Sequence, residues 1–546
     1  MNKTPDGDYF WVKIDNLNAQ TEYAYQFLVD GDIRIADPYC EKVLDPDHDR
    51  YISASVYPGL KAYPTGKTTG IVSVMQADPP VYSWKNTSFS RPAKNNLVIY
   101  EMLIRDFISE HTYNAALQKL DYLIGLGVNA IELMPVNEFE GNLSWGYNPS
   151  FYFAPDKYYG TKNDLKKFID ECHGRGIAVI IDMVLNHSFG QSPMVQLYFD
   201  GNKPSVKNPW FNPDAKHPYN VGYDFNHESA ATRTFAKNVI KFWMQEYKID
   251  GFRFDLSKGF TQKQSADDSG FAAYDASRIN IWKDYNNHIK SIDPNNFYVI
   301  LEHFAEASEE KVLADEGMML WNNLNYNMNE ATMGWLGNSN FQWGFYTNHT
   351  FSKSENLVSY IESHDEERLN YKNITYGNVA SGYSVKDPAT ALKRQQMAAA
   401  FMLAIPGPKM IWQFGELGYD VNIDFNGRTG EKPIRWNYFE EPNRKALYDV
   451  YARMIRFKKA NNIFNTTNFS YNLAGGVKYI RLNEGGNTLV VVGNFDVTPQ
   501  TAGIDFGSSG SWTDAFGTTI SLSSGTYTQT LAPGEFHVFS KNALNF

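Results

Sequence analysis

Cysteine is almost missing from this chain of 546 residues. Cys40 and Cys172 are its two thiols, and no C-x-x-C occurs. They fall in different expected domains, which excludes a disulfide framework and argues against a zinc site. Cys172, on the polar run Lys166-Lys167-Phe168-Ile169-Asp170-Glu171-Cys172, reads as a free thiol. No apolar run approaches the ~18 residues of a membrane-spanning helix. Basic residues are in deficit: 50 Lys and Arg against 61 Asp and Glu leave a net charge of -11 and a pI near 5.5. The clustered Lys and Arg of a nucleic-acid surface are absent. No secretory leader is visible. Met1 runs at once through Pro5-Asp6-Gly7-Asp8 into the alternating Tyr9-Phe10-Trp11-Val12-Lys13-Ile14. The chain therefore reads as entering a β domain partway, with its natural start expected upstream.

What the chain does have is core-forming material. Hydrophobic residues make up 43% and charged residues 20%, the balance of a soluble globular protein with a large interior. The length implies about two to four domains. Aromatic residues reach 15%, with 12 Trp, 35 Tyr and 36 Phe, most of them expected to pack cores and strands.

Residues 1–78 read as β. Residues 9–14 and 21–29 alternate, and the second stretch stops at Asp30-Gly31, a turn signal. A small antiparallel β-sandwich fits, followed by a linker over 79–95. From 96 to 460 the pattern alternates strand and helix, which implies parallel strands joined by crossover helices. Strands are expected at 96–101, 128–133, 177–181, 251–254, 297–301, 320–324, 357–361 and 409–412. Helices are expected over 114–126 and 164–175, ending at Gly127 and Gly176. Eight parallel strands are the number of a (β/α)8 barrel. The span exceeds the ~250 residues of a minimal barrel, so it carries insertions. The clearest is 188–228 after the third strand, rich in Pro, Asn, Tyr and Phe and without helical period. It is expected to form a subdomain over the carboxyl face. From 461 to 546 the chain is β again, with turns at Gly507-Ser508-Ser509-Gly510 and Ser523-Ser524-Gly525, which fits a carboxyl-terminal β-sandwich. The expected fold is α/β: a (β/α)8 TIM barrel with an inserted subdomain, flanked by two β-sandwich domains.

Four short stretches close an apolar run with a carboxylate: Ile180-Ile181-Asp182, Phe252-Arg253-Phe254-Asp255, Val299-Ile300-Leu301-Glu302 and Ile361-Glu362-Ser363-His364-Asp365. A single Asp or Glu at a strand end is usually a cap or a solvated group. Four of them at successive strand ends, with His187, Arg253 and His364 beside them, point instead to an active site at a barrel mouth. Glycosidic bond cleavage needs two such groups, one acid and one nucleophile or base, ~5 Å apart when configuration is retained. Asp255 and Glu302 end neighbouring strands. Arg253, two residues before Asp255, points to the same side and favours its ionised form. Glu302 is then the acid, its pKa expected to be raised by desolvation or neighbouring carboxylates.

These residues carry a resemblance. Asp182-Met183-Val184-Leu185-Asn186-His187 is similar to the D-x-x-x-N-H motif of the α-amylase family of glycoside hydrolases (family 13). Gly251-Phe252-Arg253-Phe254-Asp255-Leu256-Ser257-Lys258 resembles its G-x-R-x-D motif, Glu302-His303 its acid/base motif, and Ser363-His364-Asp365 its N-H-D motif with Ser for Asn. Residues 127–135 and Gly415-Glu416-Leu417-Gly418 resemble two further segments, and residues 1–78 resemble the starch-binding-like β module that precedes some such barrels. The resemblance implies that Asp255 is the nucleophile, Glu302 the general acid/base and Asp365 the transition-state stabiliser. It implies that Tyr147, His187, Arg253, Lys258, His303 and His364 bind the substrate, with Asp182 supporting Arg253. It also implies a possible Ca2+ between subdomain and barrel, on Asn186, Asp224 and the carbonyl of Gly259, although Gly259 stands where the family often has His. No organic cofactor is expected.

The reading these features favour is endo-cleavage of α-1,4-glucosidic bonds in starch, glycogen or maltooligosaccharides. An acidic surface is no obstacle to such a neutral substrate, and a minority of the aromatic residues are candidate platforms for its rings. A branching or α-1,6-debranching enzyme is the alternative, because Trp145-Gly146-Tyr147-Asn148-Pro149 and Ser363-His364-Asp365-Glu366 resemble those relatives. A non-catalytic carbohydrate-binding or transporter-associated barrel is disfavoured by the intact carboxylates. An extracellular or periplasmic bacterial location is expected.

Overall fold

Alternation along eight short strands sorts their side chains to two sides of a closed sheet. In the computed structural model, which describes residues 1–517 and 519–545, these strands are β1 (Val98–Met102), β2 (Ala130–Leu133), β3 (Ala178–Met183), β4 (Gly251–Phe254), β5 (Tyr298–Leu301), β6 (Met319–Asn323), β7 (Leu357–Tyr360) and β8 (Lys409–Trp412). All pair in parallel, in chain order, with β8 closing on β1. Each lies within two residues of its expected position. Ile99, Ala130, Ala178, Ile180, Tyr298, Ile300, Met319, Trp321, Val358, Tyr360 and Met410 fill the barrel interior. The other parity, including Val98, Ile131, Val179, Phe252, Val299 and Leu320, packs outward in the cluster shared with the surrounding helices. Such layering is what makes the barrel a packed core rather than a pore.

Helices begin and end where the sequence says they should. Thr161 and Asp164 form a capping box at the start of Lys162–Gly174. Gly127, at φ 98°, closes Leu120–Leu126 in the left-handed region. The helix expected over 114–126 is broken into two short α segments joined by a 3-10 turn at Leu117–Lys119.

Two excursions rise over the carboxyl ends of the strands. Residues 188–228 form the expected subdomain. It has one four-residue helix, Pro193–Gln196, and is closed at its base by the antiparallel pair His187–Ser188 and Tyr223–Asp224. A second excursion, not anticipated from the sequence, is the hairpin of Asn137–Phe139 with Pro149–Pro155 after β2.

The flanking regions are antiparallel β. In residues 1–78, Tyr23–Tyr25, Val72–Met75 and Val43–Leu44 make a three-stranded sheet, beside two small hairpins. The Asp30-Gly31 turn signal is realised: φ is 53° and 78° between Phe27–Val29 and Ile33–Ile35. The strand expected over 9–14 shortens to Phe10–Trp11, because Tyr9, Phe10, Trp11, Val12 and Ile14 are all exposed and no facing sheet supports them. Residues 79–95 are a strap tied to the barrel. Asp170 accepts bonds from Tyr82, Lys85 and Asn86, and Arg91 pairs with Asp250 and Asp293. After the helix Pro442–Ala460, a six-stranded and a two-stranded sheet enclose Val490, Val492, Ile504, Phe506, Trp512 and Phe539. Both cysteines are free and buried.

Candidate active site

The interior parity of the barrel is apolar at its amino end and charged at its carboxyl end. Glu101 on β1, Glu132 on β2, Asp182 on β3 and Arg253 on β4 continue the same inward-facing rows as Ile99, Ala130 and Ile180, and all four are buried. Register sets their contacts. Asp182 lies opposite Arg253 across the β3–β4 ladder, and Glu132 opposite Glu101 across β1–β2. Asp255 and Glu302 each sit one residue beyond their strands, held there by backbone bonds to Met183 and Phe254.

Arg253 organises the centre. Its guanidinium lies 2.9 Å from Asp182 Oδ1, 3.0 Å from Asp255 Oδ1 and 3.0 Å from Glu302 Oε2, and 4.1 Å from the ring centre of Trp321 beneath it. A planar cation can serve several carboxylates at once, which an ammonium cannot do in fixed geometry. The chain turns sharply just past Asp255. Leu256 takes φ 41°, a strained value for a branched residue, and this aims its N–H at Glu302 Oε2, 2.8 Å away.

Asp365 belongs to a second charge chain. His364 Nδ1 lies 2.6 Å from Glu101 Oε1, and its Nε2 lies 3.3 Å from Asp365 Oδ2. Burial opposes the charge on both partners. Asp365 and Glu101 nonetheless hold His364 well above the usual imidazole range, and His364 with Arg253 and Arg428 holds Asp365 well below the usual carboxylate range. Ser363, in place of the family's Asn, accepts from the Asp365 N–H and donates to Glu366. Tyr147 stacks on His364 at 5.0 Å and donates to Asp182 Oδ2 at 2.6 Å. Gly146 makes that placement possible. At φ 95°, any Cβ there would lie 2.4 Å from the Pro135 carbonyl oxygen.

Burial dominates the titration of Asp255 and Glu302. It pushes Asp255 up to about 6 even against Arg253 and Glu302 up to about 7, with Asp255 and Asp365 adding to the rise. Arg253 therefore limits the rise at Asp255 rather than depressing it, which corrects the simpler expectation from sequence. The elevation expected for Glu302 is present. Activity that requires Asp255 ionised and Glu302 protonated should give a bell-shaped kcat/KM profile, rising through about 6 and falling through about 7. Both limbs belong to the pair jointly. A profile flat across this range would count against these roles.

Several expected substrate contacts lie elsewhere. His303 is fully buried, with Nδ1 2.8 Å from Ser257 Oγ and Nε2 2.8 Å from Glu309 Oε1. Both nitrogens are occupied, so its expected role as a sugar ligand is corrected to one of bracing the β5 end. His187 is also buried, its Nε2 2.8 Å from the Tyr147 carbonyl oxygen and its Nδ1 without a hydrogen-bond partner. Lys258 sits at the lip, its Nζ 3.3 Å from the Phe304 carbonyl oxygen and 3.5 Å from Asp268.

Asn186, Asp224 and Gly259 do converge where the subdomain meets the barrel, but around a side chain. His217 Nε2 lies 3.4 Å from Asn186 Nδ2 and 3.5 Å from Asp224 Oδ1. Its ring stacks on Phe271 at 4.8 Å. A Cβ on Gly259 would fall 1.9 Å from Asn186 Oδ1 and 3.1 Å from His217 Nε2. Calcium takes about six to eight oxygens; Asn186 Oδ1 and Asp224 Oδ1 are both buried here without a hydrogen-bond partner, with the imidazole of His217 between the two side chains. Among the described residues no group of three His, Cys, Asp or Glu side chains is placed to hold a metal.

Glu101, Glu132 and Trp321 escaped the sequence reading, as did the Leu256 N–H. The glutamates carried the same signal as the other strand-end carboxylates, in Ile99-Tyr100-Glu101 and Ile131-Glu132, one residue inside the strand end.

Known proteins resemble this chain. A family model described as "Alpha amylase, catalytic domain" matches residues 112–222 and 218–445. Malto-oligosyltrehalose trehalohydrolase of Saccharolobus solfataricus is 30% identical over 251 residues, 46% of this chain and 38% of that protein. The 1,4-alpha-glucan branching enzyme of Pseudoalteromonas atlantica is 25% identical over 483 residues, 82% of this chain and 62% of that protein. The chain thus spans less than two thirds of these relatives. Type I pullulanase of Bacillus subtilis str. 168, solved with maltose, superposes with a TM-score of 0.71 at 18% identity, covering 94% of this chain and 76% of that one. At that identity the likeness is one of fold. No helix among the described residues is long and apolar enough to cross a membrane.

Proposed function

From a chain that belongs to the α-amylase catalytic-domain family, we propose a retaining glycoside hydrolase that cleaves internal α-1,4-glucosidic bonds of starch, glycogen or maltooligosaccharides. One observation carries the reading: Asp255 and Glu302 contact a single buried guanidinium yet differ in environment. Asp255 attacks the anomeric carbon and forms a β-glucosyl-enzyme. Glu302, its proton kept by burial, protonates the departing glycosidic oxygen, then takes a proton from the water that hydrolyses the intermediate. Asp365, held ionised by His364, hydrogen-bonds the ring hydroxyls and strengthens those bonds as the oxocarbenium-like transition state develops. The half-buried ring of Tyr147 forms a wall of the same subsite.

Similarity to a branching enzyme over 82% of the chain favours a second reading in which a glucan accepts the sugar, and similarity to isoamylase 1 of Oryza sativa over 48% of the chain favours cleavage of an α-1,6 bond. Products separate the two. Purified protein on amylose is expected to raise reducing ends as iodine staining falls, and to leave pullulan largely uncut. Falling iodine staining without new reducing ends would indicate branching, and pullulan cut to maltotriose would indicate debranching.

A further inference from the structure

The segment that begins at the carboxyl end of β6 has a composition unlike the rest of the barrel. Residues 322–348 contain eight Asn and a single charged side chain, Glu330. Some of these amides serve the fold: Asn325 donates to the Ile361 and Glu367 carbonyls, and Asn322 to that of Trp343. Others lie toward the surface: Asn327 and Asn338 gather about Tyr326, one of two large exposed rings in the segment. Tyr326, in the first turn of Asn325–Met333, is 62% exposed, and Trp335, just past that helix, is 44% exposed.

Neither ring is loose. Asn338 Nδ2 donates to Tyr326 Oη at 2.9 Å, and Asn327 Nδ2 to the Asn338 carbonyl at 2.7 Å. Trp335 Nε1 donates to the Tyr376 carbonyl at 3.0 Å. Fixing an aromatic ring in water by hydrogen bonds at its edge costs conformational entropy without burying the face. That arrangement is productive when something flat and apolar is laid on the face. The strip also connects to the proposed catalytic mouth: the amide of Asn323, at its start, donates to Glu366, the neighbour of Asp365.

We propose that Tyr326 and Trp335, with the surrounding amides, form a secondary binding platform for an α-glucan chain leading away from the barrel mouth. The occupant follows from the chemistry. A sugar ring offers a C–H face for an aromatic surface and hydroxyls for amide donors and acceptors. A strip with one charge in 27 residues suits a neutral polymer and not an ionic partner. The proposal rests on the glucan reading above and extends it to substrate length, since a platform outside the cleft is reached only by long chains.

Affinity electrophoresis of the full chain in glycogen gels tests this in the Asp255→Asn background, where nothing is cleaved. Tyr326→Ala with Trp335→Ala is expected to weaken retardation about tenfold in apparent Kd. Tyr326→Phe with Trp335→Tyr, which keep the ring faces, is expected to retain it. In the active protein the alanine pair should lower the ratio of kcat/KM on amylose to that on maltotriose. Undiminished retardation would overturn the platform, as would an equal loss on both substrates, which a loosened barrel would produce. If the active protein leaves amylose intact, the activity reading fails separately, and ring-dependent retardation by glycogen still supports the platform.

Discussion

Asp255→Asn is expected to remove glucan cleavage almost entirely, by about 10⁴- to 10⁶-fold in kcat. The substitution preserves shape and leaves Arg253 bonded to Asp182 at 2.9 Å, so the fold should survive. What disappears is the proposed nucleophile. A neutral amide cannot form the glycosyl ester, and its loss also removes one of the charges that raise Glu302. Steady-state rates on amylose measure the first effect. Mass spectrometry of wild-type protein quenched during turnover of a slow substrate measures the intermediate directly: a glucosyl adduct on the peptide containing Asp255 is expected, and its absence from the Asn variant. Substantial residual activity in that variant would remove Asp255 from the mechanism.

Arg253→Met is expected to be the most damaging single change to stability in the site, at about 3–5 kcal/mol near neutral pH. The guanidinium is fully buried among Asp182, Asp255 and Glu302. Without it, burial acts on these carboxylates unopposed by their nearest cation. Their folded-state pKa values already stand above the ordinary range, at about 6, 6 and 7, and should climb further in the variant. The sign follows from linkage. A group whose folded pKa is raised contributes stability below its unfolded pKa, and that contribution is lost as pH rises through the folded value. The wild type should therefore lose some stability between about pH 4 and 7, and the variant should lose more and keep losing it to higher pH. Thermal or denaturant unfolding of both proteins at pH 5 and pH 8 measures this. A deficit as large at pH 5 as at pH 8 would mean that packing, not charge, carries the cost.

Both predictions concern residues that the sequence made visible, and the reason is geometric. In a parallel barrel strand the side-chain period is two and the interior is closed, so a carboxylate in phase with apolar interior residues at a strand's end has one place to go. Asp182, Arg253, Asp255 and Glu302 obey that rule. Glu101 and Glu132 obey it too, and were missed only because the run of apolar residues around them continues past the charge. His303 shows the opposite failure. It is adjacent to Glu302 in sequence, and alternation turns it away from the mouth toward Glu309 on the following helix.

The amino-terminal region failed in another way. Alternation over residues 9–14 identified β character, but strand length depends on a partner, and only Asn2–Lys3 pairs with Phe10–Trp11. The surroundings of the expected calcium ligands depended on a residue without sequence signal. His217 lies in the irregular subdomain, and its position between Asn186 and Asp224 comes from how that excursion folds back over the barrel.

By itself the sequence determined the barrel, its eight strands, the insertion after the third and the strand-end placement of Asp182, Asp255 and Glu302, because all of these follow from periodicity and local turn chemistry. Tertiary structure alone decided the rest: that one guanidinium serves three carboxylates, that His364 stands between Glu101 and Asp365, that His217 stands between the expected calcium ligands, and that Tyr326 and Trp335 are each held at the surface by a bond at the ring edge. Each of these depends on residues far apart in sequence meeting in a low-dielectric interior or on a shared face, and no local pattern encodes which distant partner arrives.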